Sequence, residues 1–211
     1  ALLNTVQTMT RAYGLHVLGS VEKPLTADKL AAALAGYDLL LHSEDVDDSV
    51  DISATEIRTA LGRGEIRPWF QPQVEFGNGK PVAVEALARW VREDGRVVRP
   101  QHFIGLLERE GLADPLTDLM LELGCRWKRE WDRTGLHLNL SVNVSPTTLA
   151  DPTAADRYQR IVKEQGVDPA DVVLELTESS VMADAARALG VLARLRLKGF
   201  GLSIDDFGTG Y

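Results

Sequence analysis

Acidic and amide side chains stand near the ends of four apolar, strand-like stretches of the sequence. "VAVEALARW" carries Glu85, "LNLSVNVSP" carries Asn143, "VVLELTES" carries Glu175 and Glu178, and "GLSIDDFGTGY" carries Asp205 and Asp206. An isolated buried carboxylate is costly unless it is paired or bound to a metal, so several converging acids predict a cation or a hydrogen-bonded network. Because these ligands are carboxylate and amide oxygens, magnesium, manganese or calcium fits better than zinc.

Taken singly, these residues also have ordinary structural interpretations. Glu85 could pair with Arg89, and Asn143 could cap the turn that follows it. The adjacent Asp205 and Asp206 are harder to explain in this way, since two neighbouring like charges repel each other unless a cation offsets them. The joint occurrence of these side chains at strand ends therefore favours a functional site.

Composition limits what such a site can bind. The chain has 211 residues, of which 45% are hydrophobic and 26% charged, which predicts a globular protein of one or two domains. The formal charge of -8 gives no basic surface, so we expect neither nucleic acid nor an anionic membrane as a partner. The single cysteine, Cys125, excludes an internal disulfide framework and is expected to pack in a helix.

The sequence contains no apolar stretch near the ~20 residues that a membrane-spanning helix needs. It also lacks a basic amino-terminal region leading into an apolar run. We therefore expect a cytoplasmic protein.

One shift in composition predicts a domain boundary. The segment "LHSEDVDDSVDIS" is acidic and poor in large apolar residues, as a solvated linker should be. We place a linker at residues 42–54, between a first segment at 1–41 and a second at 55–211. The first segment has the pattern of a helix, a strand, a turn and a second helix with Thr26 as its N-cap, which is too little to fold alone.

The turn "EKPL" in the first segment resembles the carboxyl-terminal end of a response-regulator receiver domain. In that family the lysine, here Lys23, contacts the phosphorylated aspartate, and the bond to the following proline, here Pro24, is usually cis. An ordinary Lys-Pro turn is the alternative, since proline is common at such turns. No phosphoacceptor aspartate of the expected kind precedes the motif.

The second segment alternates strand and helix patterns, beginning with a helix at 54–62. Further strands are predicted at 69–76, 82–89, 137–144, 172–177 and 201–205, and further helices at 100–110, 113–133, 153–165 and 183–198. This alternation favours a parallel sheet with helices outside it, either an open doubly wound sheet or a barrel. No glycine-rich phosphate fingerprint follows a strand, which weakens the nucleotide-binding open sheet.

The long helix predicted at 113–133 carries two further patterns. Trp127 and Trp131 recur at helical spacing with Leu123, which predicts a packed face rather than a ligand-binding site. The run "KREWDR" at 128–133 predicts a solvated face.

Five ordered motifs in the second segment resemble those of the EAL-domain family of cyclic di-GMP phosphodiesterases. They are "FQPQV", "EALARW", "LSVNVSP", "LELTES" and "DDFGTGY". The resemblance implies a modified (β/α)8 barrel with one strand reversed, which hydrolyses cyclic di-GMP to linear pGpG with two magnesium or manganese ions. Two such ions ~4 Å apart can activate a bridging water and neutralise the phosphodiester oxygens.

The resemblance also implies roles for particular residues. Glu85, Asn143, Glu175 and Asp205 would be metal ligands, and Asp206 would serve the second metal. Glu85, Asp205 and Asp206 would thereby be catalytic. Gln71, Leu87 and Arg89 would contact the substrate, and a guanidinium suits bidentate phosphate contact. Glu178 would belong with the loop "DDFGTGY" to a system that links metal binding to dimerisation.

A (β/α)8 barrel typically takes ~250 residues, and the segment after the linker contains only about five of the expected strands. In the family, the later strands bring a lysine, a further metal-binding glutamate and a glutamine. We therefore expect the natural protein to continue at both ends.

Three functional hypotheses follow from the sequence. The leading one is a cyclic di-GMP phosphodiesterase regulated by a receiver domain, with a histidine kinase acting on the receiver and a homodimer as the assembly. The alternative is a receptor that binds cyclic di-GMP without cleaving it, although such relatives usually lose metal ligands that are kept here. The third is another metal-dependent (β/α)8 hydrolase, for which no site residues on other strands stand out.

Overall fold

The structure, a computed structural model, describes residues 52–183 and 185–205 together with Thr26 and Lys29. The chain divides into two compact units, Ala1–Ser49 and Val50–Tyr211. The "EKPL" motif and most of the predicted linker lie outside the described residues. In the first unit, Thr26 Oγ1 accepts a hydrogen bond from the backbone N–H of Lys29 at 3.4 Å, as the predicted N-cap should.

The second unit contains the elements that the sequence predicted. Its helices are α1 (Ala54–Arg63), α2 (Pro100–Arg109), α3 (Ala113–Arg133), α4 (Ala154–Glu164), α5 (Glu178–Ala183) and α6 (Ala185–Leu197). Its strands are β1 (Ile66–Val74), β2 (Pro81–Val91), β3 (Val97–Val98), β4 (Asn139–Asn143), β5 (Val172–Thr177) and β6 (Gly201–Asp205), and 3-10 helices span Pro146–Ala150 and Pro169–Asp171. The short elements β3 and α5 were not predicted, because two or six residues carry no readable periodicity.

The start of this unit shows how local sequence sets an element boundary. Ser53 and Glu56 form a capping box, in which each side chain accepts a hydrogen bond from the backbone N–H of the other residue. Gly64 ends α1 in a left-handed conformation, with φ at 69°. The polypeptide therefore leaves α1 and enters β1 within two residues.

The described strands form one mixed sheet in the order β1-β2-β4-β5-β6, with β3 paired to the end of β2. The pairings β2–β4, β4–β5 and β5–β6 are parallel, which confirms the predicted parallel sheet for these strands. By contrast, β1 runs antiparallel to β2. The reason is the short connection at 75–80, which contains an Asn-Gly pair with Gly79 at φ 67° and leaves no room for a crossover helix.

The hydrophobic core lies between the sheet and its helices. Leu140 and Val142 of β4 and Leu174 of β5 are fully or almost fully buried in it. A Cβ atom at Gly124 of α3 would lie 2.9 Å from Leu140 Cδ2, so glycine allows the close packing of α3 on β4. This packing fixes β4, whose last residue is Asn143.

Two predictions for α3 were each wrong at one residue. Trp131 packs against the core, but Trp127 remains 53% exposed, because the described part of the chain leaves that side of the helix open. Lys128 opens the run predicted to be solvated, yet it is only 3% exposed, since its ammonium lies 3.0 Å from Asp132 and 3.3 Å from Asp171. The prediction for Cys125 was correct, as it is fully buried.

None of the helices in the described ranges is both long enough and apolar enough to cross a membrane.

Candidate functional site

Four of the polar residues singled out in the sequence share one face of the sheet. Glu85 of β2 lies opposite Ser141 of β4, and Asn143 lies opposite Glu175 of β5. Asp205 occupies the last position of β6, opposite Thr177. Because side chains alternate along a strand, these odd-numbered residues point away from the helix-covered core. The sheet thus brings together, near the carboxyl ends of its parallel strands, side chains that are far apart in the sequence.

A direct contact joins the first two of these residues. Asn143 Nδ2 donates a hydrogen bond to Glu85 Oε1 at 2.8 Å. The alternative pair between Glu85 and Arg89 is not formed, because the Arg89 guanidinium instead donates to the backbone carbonyl of Ala88 at 2.9 Å. The turn after β4 is capped by Ser145 rather than by Asn143, since Ser145 accepts from the backbone N–H of Thr147. Neither ordinary interpretation of these two residues holds.

Among the predicted acids that the structure describes, Glu175 is the most buried, with 8% of its surface exposed. Burial is the main cause that raises the pKa of its carboxyl group, and the neighbouring charges of Glu85 and Asp205 raise that pKa further. Hydrogen bonds from the side chains of Ser141 and Gln73 act in the opposite direction. A cation among these carboxyl groups would offset both the burial and the repulsion.

Ser141 and Gln73 were not among the predicted site residues. Gln73 stands two positions after Gln71, so the alternation of β1 could have placed both on the site face. Its approach to Glu175 depends on how strands distant in sequence are arranged, which a motif does not reveal. Ser141 likewise shares its face with Asn143, two positions further along β4.

Two of the remaining acids, Asp205 and Glu178, lie at or directly after the end of a strand. Asp205 is exposed. Asp206 and the rest of the loop "DDFGTGY" lie outside the described residues. Glu178 is half-buried and opens α5, and the preceding residue, Thr177, accepts a hydrogen bond from the Ser180 N–H at 3.4 Å as its N-cap. Glu178 therefore begins a helix directly after β5, close in sequence to Glu175.

The predicted substrate-contacting residues lie on the β1–β2 hairpin. Gln71 is directly opposite Glu85 in the antiparallel register, and Leu87 and Arg89 follow Glu85 on the same face of β2. The side chain of Gln71 is exposed, whereas Leu87 and Arg89 are half-buried. The hairpin thus places the Gln71 amide, the Leu87 side chain and the Arg89 guanidinium beside the acids.

The donor groups have the chemistry that a hard divalent cation prefers, but the described carboxylates lie farther apart than the ligands of one ion. Glu85, Glu175 and Asp205 supply carboxylate oxygens and Asn143 an amide oxygen, as magnesium and manganese prefer. Within the ranges that the structure describes, no three histidine, cysteine, aspartate or glutamate side chains lie close enough together to hold an ion. One reason is that the amide of Asn143, rather than another carboxylate, occupies the place beside Glu85.

Comparison with known proteins identifies the family of this chain. A family model described as the EAL domain matches residues 54–211. The cyclic di-GMP phosphodiesterase RocR of Pseudomonas aeruginosa is 30% identical over 208 residues, which cover 97% of this chain and 53% of RocR. The bifunctional diguanylate cyclase/cyclic di-GMP phosphodiesterase MucR of the same organism is 36% identical over 157 residues, covering 74% of this chain and 23% of MucR.

A solved structure described as the PaMucR phosphodiesterase in complex with c-di-GMP has the same fold. It superimposes with a TM-score of 0.70 at 35% identity, covering 74% of this chain and 64% of that chain. The present chain spans about half the length of RocR and a smaller part of MucR.

Proposed function

Because the chain belongs to the EAL-domain family, we propose that its protein is a divalent-metal-dependent phosphodiesterase that hydrolyses cyclic di-GMP to 5'-pGpG. The observation that carries the proposal is the shared face on which Asn143 is hydrogen-bonded to Glu85 and lies opposite Glu175. RocR and MucR, whose names include this activity, and the MucR complex with c-di-GMP support it.

In this proposal the acids and the amide of the site face hold the cation. Glu85, Asn143, Glu175 and Asp205 would be its ligands, and Asp206 would serve a second ion. Magnesium or manganese, when bound, would lower the pKa of a water molecule and neutralise charge on the phosphodiester. The buried Glu175 would be kept in place by Ser141 and Gln73, whose side chains hydrogen-bond it.

The hairpin residues would orient the substrate for the reaction. The Arg89 guanidinium would bind the phosphodiester oxygens, while Gln71 and Leu87 would contact the rest of the nucleotide. The water oxygen bonds to phosphorus, the bond from phosphorus to the ribose 3'-oxygen breaks, and that oxygen takes up a proton. The product is then linear, with a 5'-phosphate at one end and a free 3'-hydroxyl at the break.

Conversion of cyclic di-GMP to pGpG by the full-length protein, in magnesium and in EDTA, tests this proposal. Glu85→Gln is the sharpest variant, because its amide oxygen can still accept the hydrogen bond from Asn143 while the charge is lost. We expect turnover to fall by at least 100-fold in Glu85→Gln and to stop in EDTA. Glu164→Ala, which removes an exposed glutamate from α4, is the control and should retain full activity.

Two results would overturn the proposal. Full turnover in EDTA would exclude a requirement for a divalent metal ion. Wild-type protein that binds cyclic di-GMP without cleaving it would instead be the non-hydrolysing receptor.

We further propose that residues 1–41 belong to a receiver domain that regulates this activity. The protein would act as a homodimer, and Glu178 would belong to the loop system that links metal binding to dimerisation. The alignment with RocR supports a relationship that extends into this part of the chain, since it covers 97% of the residues. Acetyl phosphate can replace a histidine kinase as phosphoryl donor in the test. A change in turnover of the full-length protein after this treatment is expected, and unchanged turnover would count against the regulation.

A further inference from the structure

A half-exposed tryptophan lies on the site face and has no part in the chemistry described so far. Trp69 of β1 is 52% exposed, although its neighbour along the strand, Phe70, packs against the core. In the antiparallel register Trp69 lies directly opposite Leu87, so its indole shares the face of Glu85 and Leu87. An indole in this position presents a large flat apolar surface to whatever binds there.

The group beside this indole is a cation. The guanidinium carbon of Arg89 lies 5.8 Å from the centre of the Trp69 ring, within the range of a cation–π contact. Among the described residues no carboxylate pairs with this guanidinium, whose one hydrogen bond at Nη1 goes to the Ala88 carbonyl at 2.9 Å. Its remaining N–H donors can therefore bind an anionic group, next to a surface on which an aromatic ring can stack.

A flat aromatic surface next to a guanidinium with further N–H donors matches the two parts of a nucleotide. Base–aromatic stacking and arginine–phosphate contacts occur together in proteins that bind single-stranded nucleic acids. We propose that Trp69 is the stacking surface for one guanine base of cyclic di-GMP, and that it contributes binding rather than chemistry. This inference rests on the proposed function, because it takes cyclic di-GMP as the ligand.

The chain offers a matched control in Trp127, which has nearly the same exposure, 53%. Trp127 lies on α3, where its ring is 6.3 Å from Phe70 and 6.3 Å from Trp131. Phe70 and Trp69 are consecutive residues of β1 and so point to opposite faces. Loss of Trp127 therefore removes the same kind of side chain from α3, which packs on the opposite face of β1.

The test measures the dissociation constant for cyclic di-GMP by calorimetry, in EDTA, with the full-length protein. Trp69→Leu keeps an apolar side chain but removes the aromatic face, and we expect it to weaken binding by about 5- to 150-fold. Trp69→Phe keeps a stacking face and should bind within a few-fold of wild type. Trp127→Leu should bind as wild type does.

Fluorescence gives a second readout that does not depend on Trp69→Leu being folded. Cyclic di-GMP should quench the tryptophan emission of the wild type, and Trp69→Phe should lose that quenching while it still binds. The inference is overturned if Trp69→Leu binds as tightly as Trp69→Phe, or if Trp127→Phe rather than Trp69→Phe abolishes the quenching. Wild-type protein that neither binds nor cleaves cyclic di-GMP would overturn the proposed function itself.

Discussion

The amide of Asn143 and the carboxylate of Glu85 are hydrogen-bonded at 2.8 Å, across the boundary between the parallel strands β4 and β2. The contact links the last residue of one strand to the middle of another. In the proposed enzyme, both partners would also be ligands of the same cation. Because the two side chains are so close, a charge introduced at position 143 is a sensitive test of whether a cation binds there.

Asn143→Asp places a second carboxylate at hydrogen-bonding distance from Glu85. Repulsion between the two charges should destabilise the metal-free protein, and we expect the melting temperature in EDTA to fall by about 2–4 °C per 1 kcal/mol of repulsion. Excess magnesium should raise the melting temperature of this variant more than that of the wild type, since the added charge strengthens cation binding.

Asn139→Asp is the control, because it adds the same charge to an exposed position at the other end of β4. Calorimetric melting with and without magnesium makes the comparison. Equal responses of the two variants to magnesium would mean that no cation binds beside Asn143.

Thr117 anchors the loop that follows Asn143. Its buried hydroxyl donates to the Ala113 carbonyl and accepts from the backbone N–H of Ser145, each at 3.2 Å. Thr117→Val leaves that N–H without its partner in a buried place, so we expect a loss of about 1–3 kcal/mol in the free energy of unfolding. Urea denaturation gives this value, and Thr117→Ser, which keeps the hydroxyl, should lose clearly less. A loss in Thr117→Val no larger than that in Thr117→Ser would mean that the hydroxyl contributes little to stability.

Burial raises the pKa of the Cys125 thiol from its ordinary 9.0 to about 12, against a smaller opposing effect of Lys128. The folded protein therefore keeps this proton at a pH where the unfolded chain has lost it. Between about pH 9 and pH 12 the unfolded state binds fewer protons, so this group makes the free energy of unfolding fall as pH rises.

The same burial should protect Cys125 from modification. At pH 8 we expect a thiol-reactive disulfide reagent to modify the folded protein only as fast as the protein unfolds, and the urea-unfolded protein at once. Absorbance of the released thiolate follows the reaction. Rapid modification of the native protein would show that the thiol is accessible.

Much of the second unit follows from its sequence periodicity. β5 and β6 have the predicted bounds, and the two-residue alternation is enough to place Asn143 on the same face as Ser141, and Glu175 on the same face as Val173. The order in which strands neighbour one another, and hence the bond from Asn143 to Glu85, arises from pairing between distant segments. A pattern read along one strand contains no information on that pairing.

The errors on α3 have the same physical origin. Helical spacing predicts that Trp127 and Trp131 lie next to each other on one face of α3. The side chains that cover this face come from elsewhere in the chain, so the spacing alone does not predict how far each tryptophan is buried. Phe70 covers Trp131, with ring centres 4.7 Å apart, and leaves half of Trp127 exposed. Lys128 is buried because Asp171, from the 3-10 helix before β5, reaches its ammonium.

The pairing of β2 with β4 also bears on the order in which the molecule folds. The β1–β2 hairpin joins residues that are close in sequence and can form quickly, whereas pairing β2 with β4 requires residues 92–138 to close as a loop first. Glu85 and Asn143 therefore meet only after this slower step. We expect a newly made chain to gain its hairpin early and the Glu85–Asn143 contact late, so the proposed cation binding would report on the completed sheet.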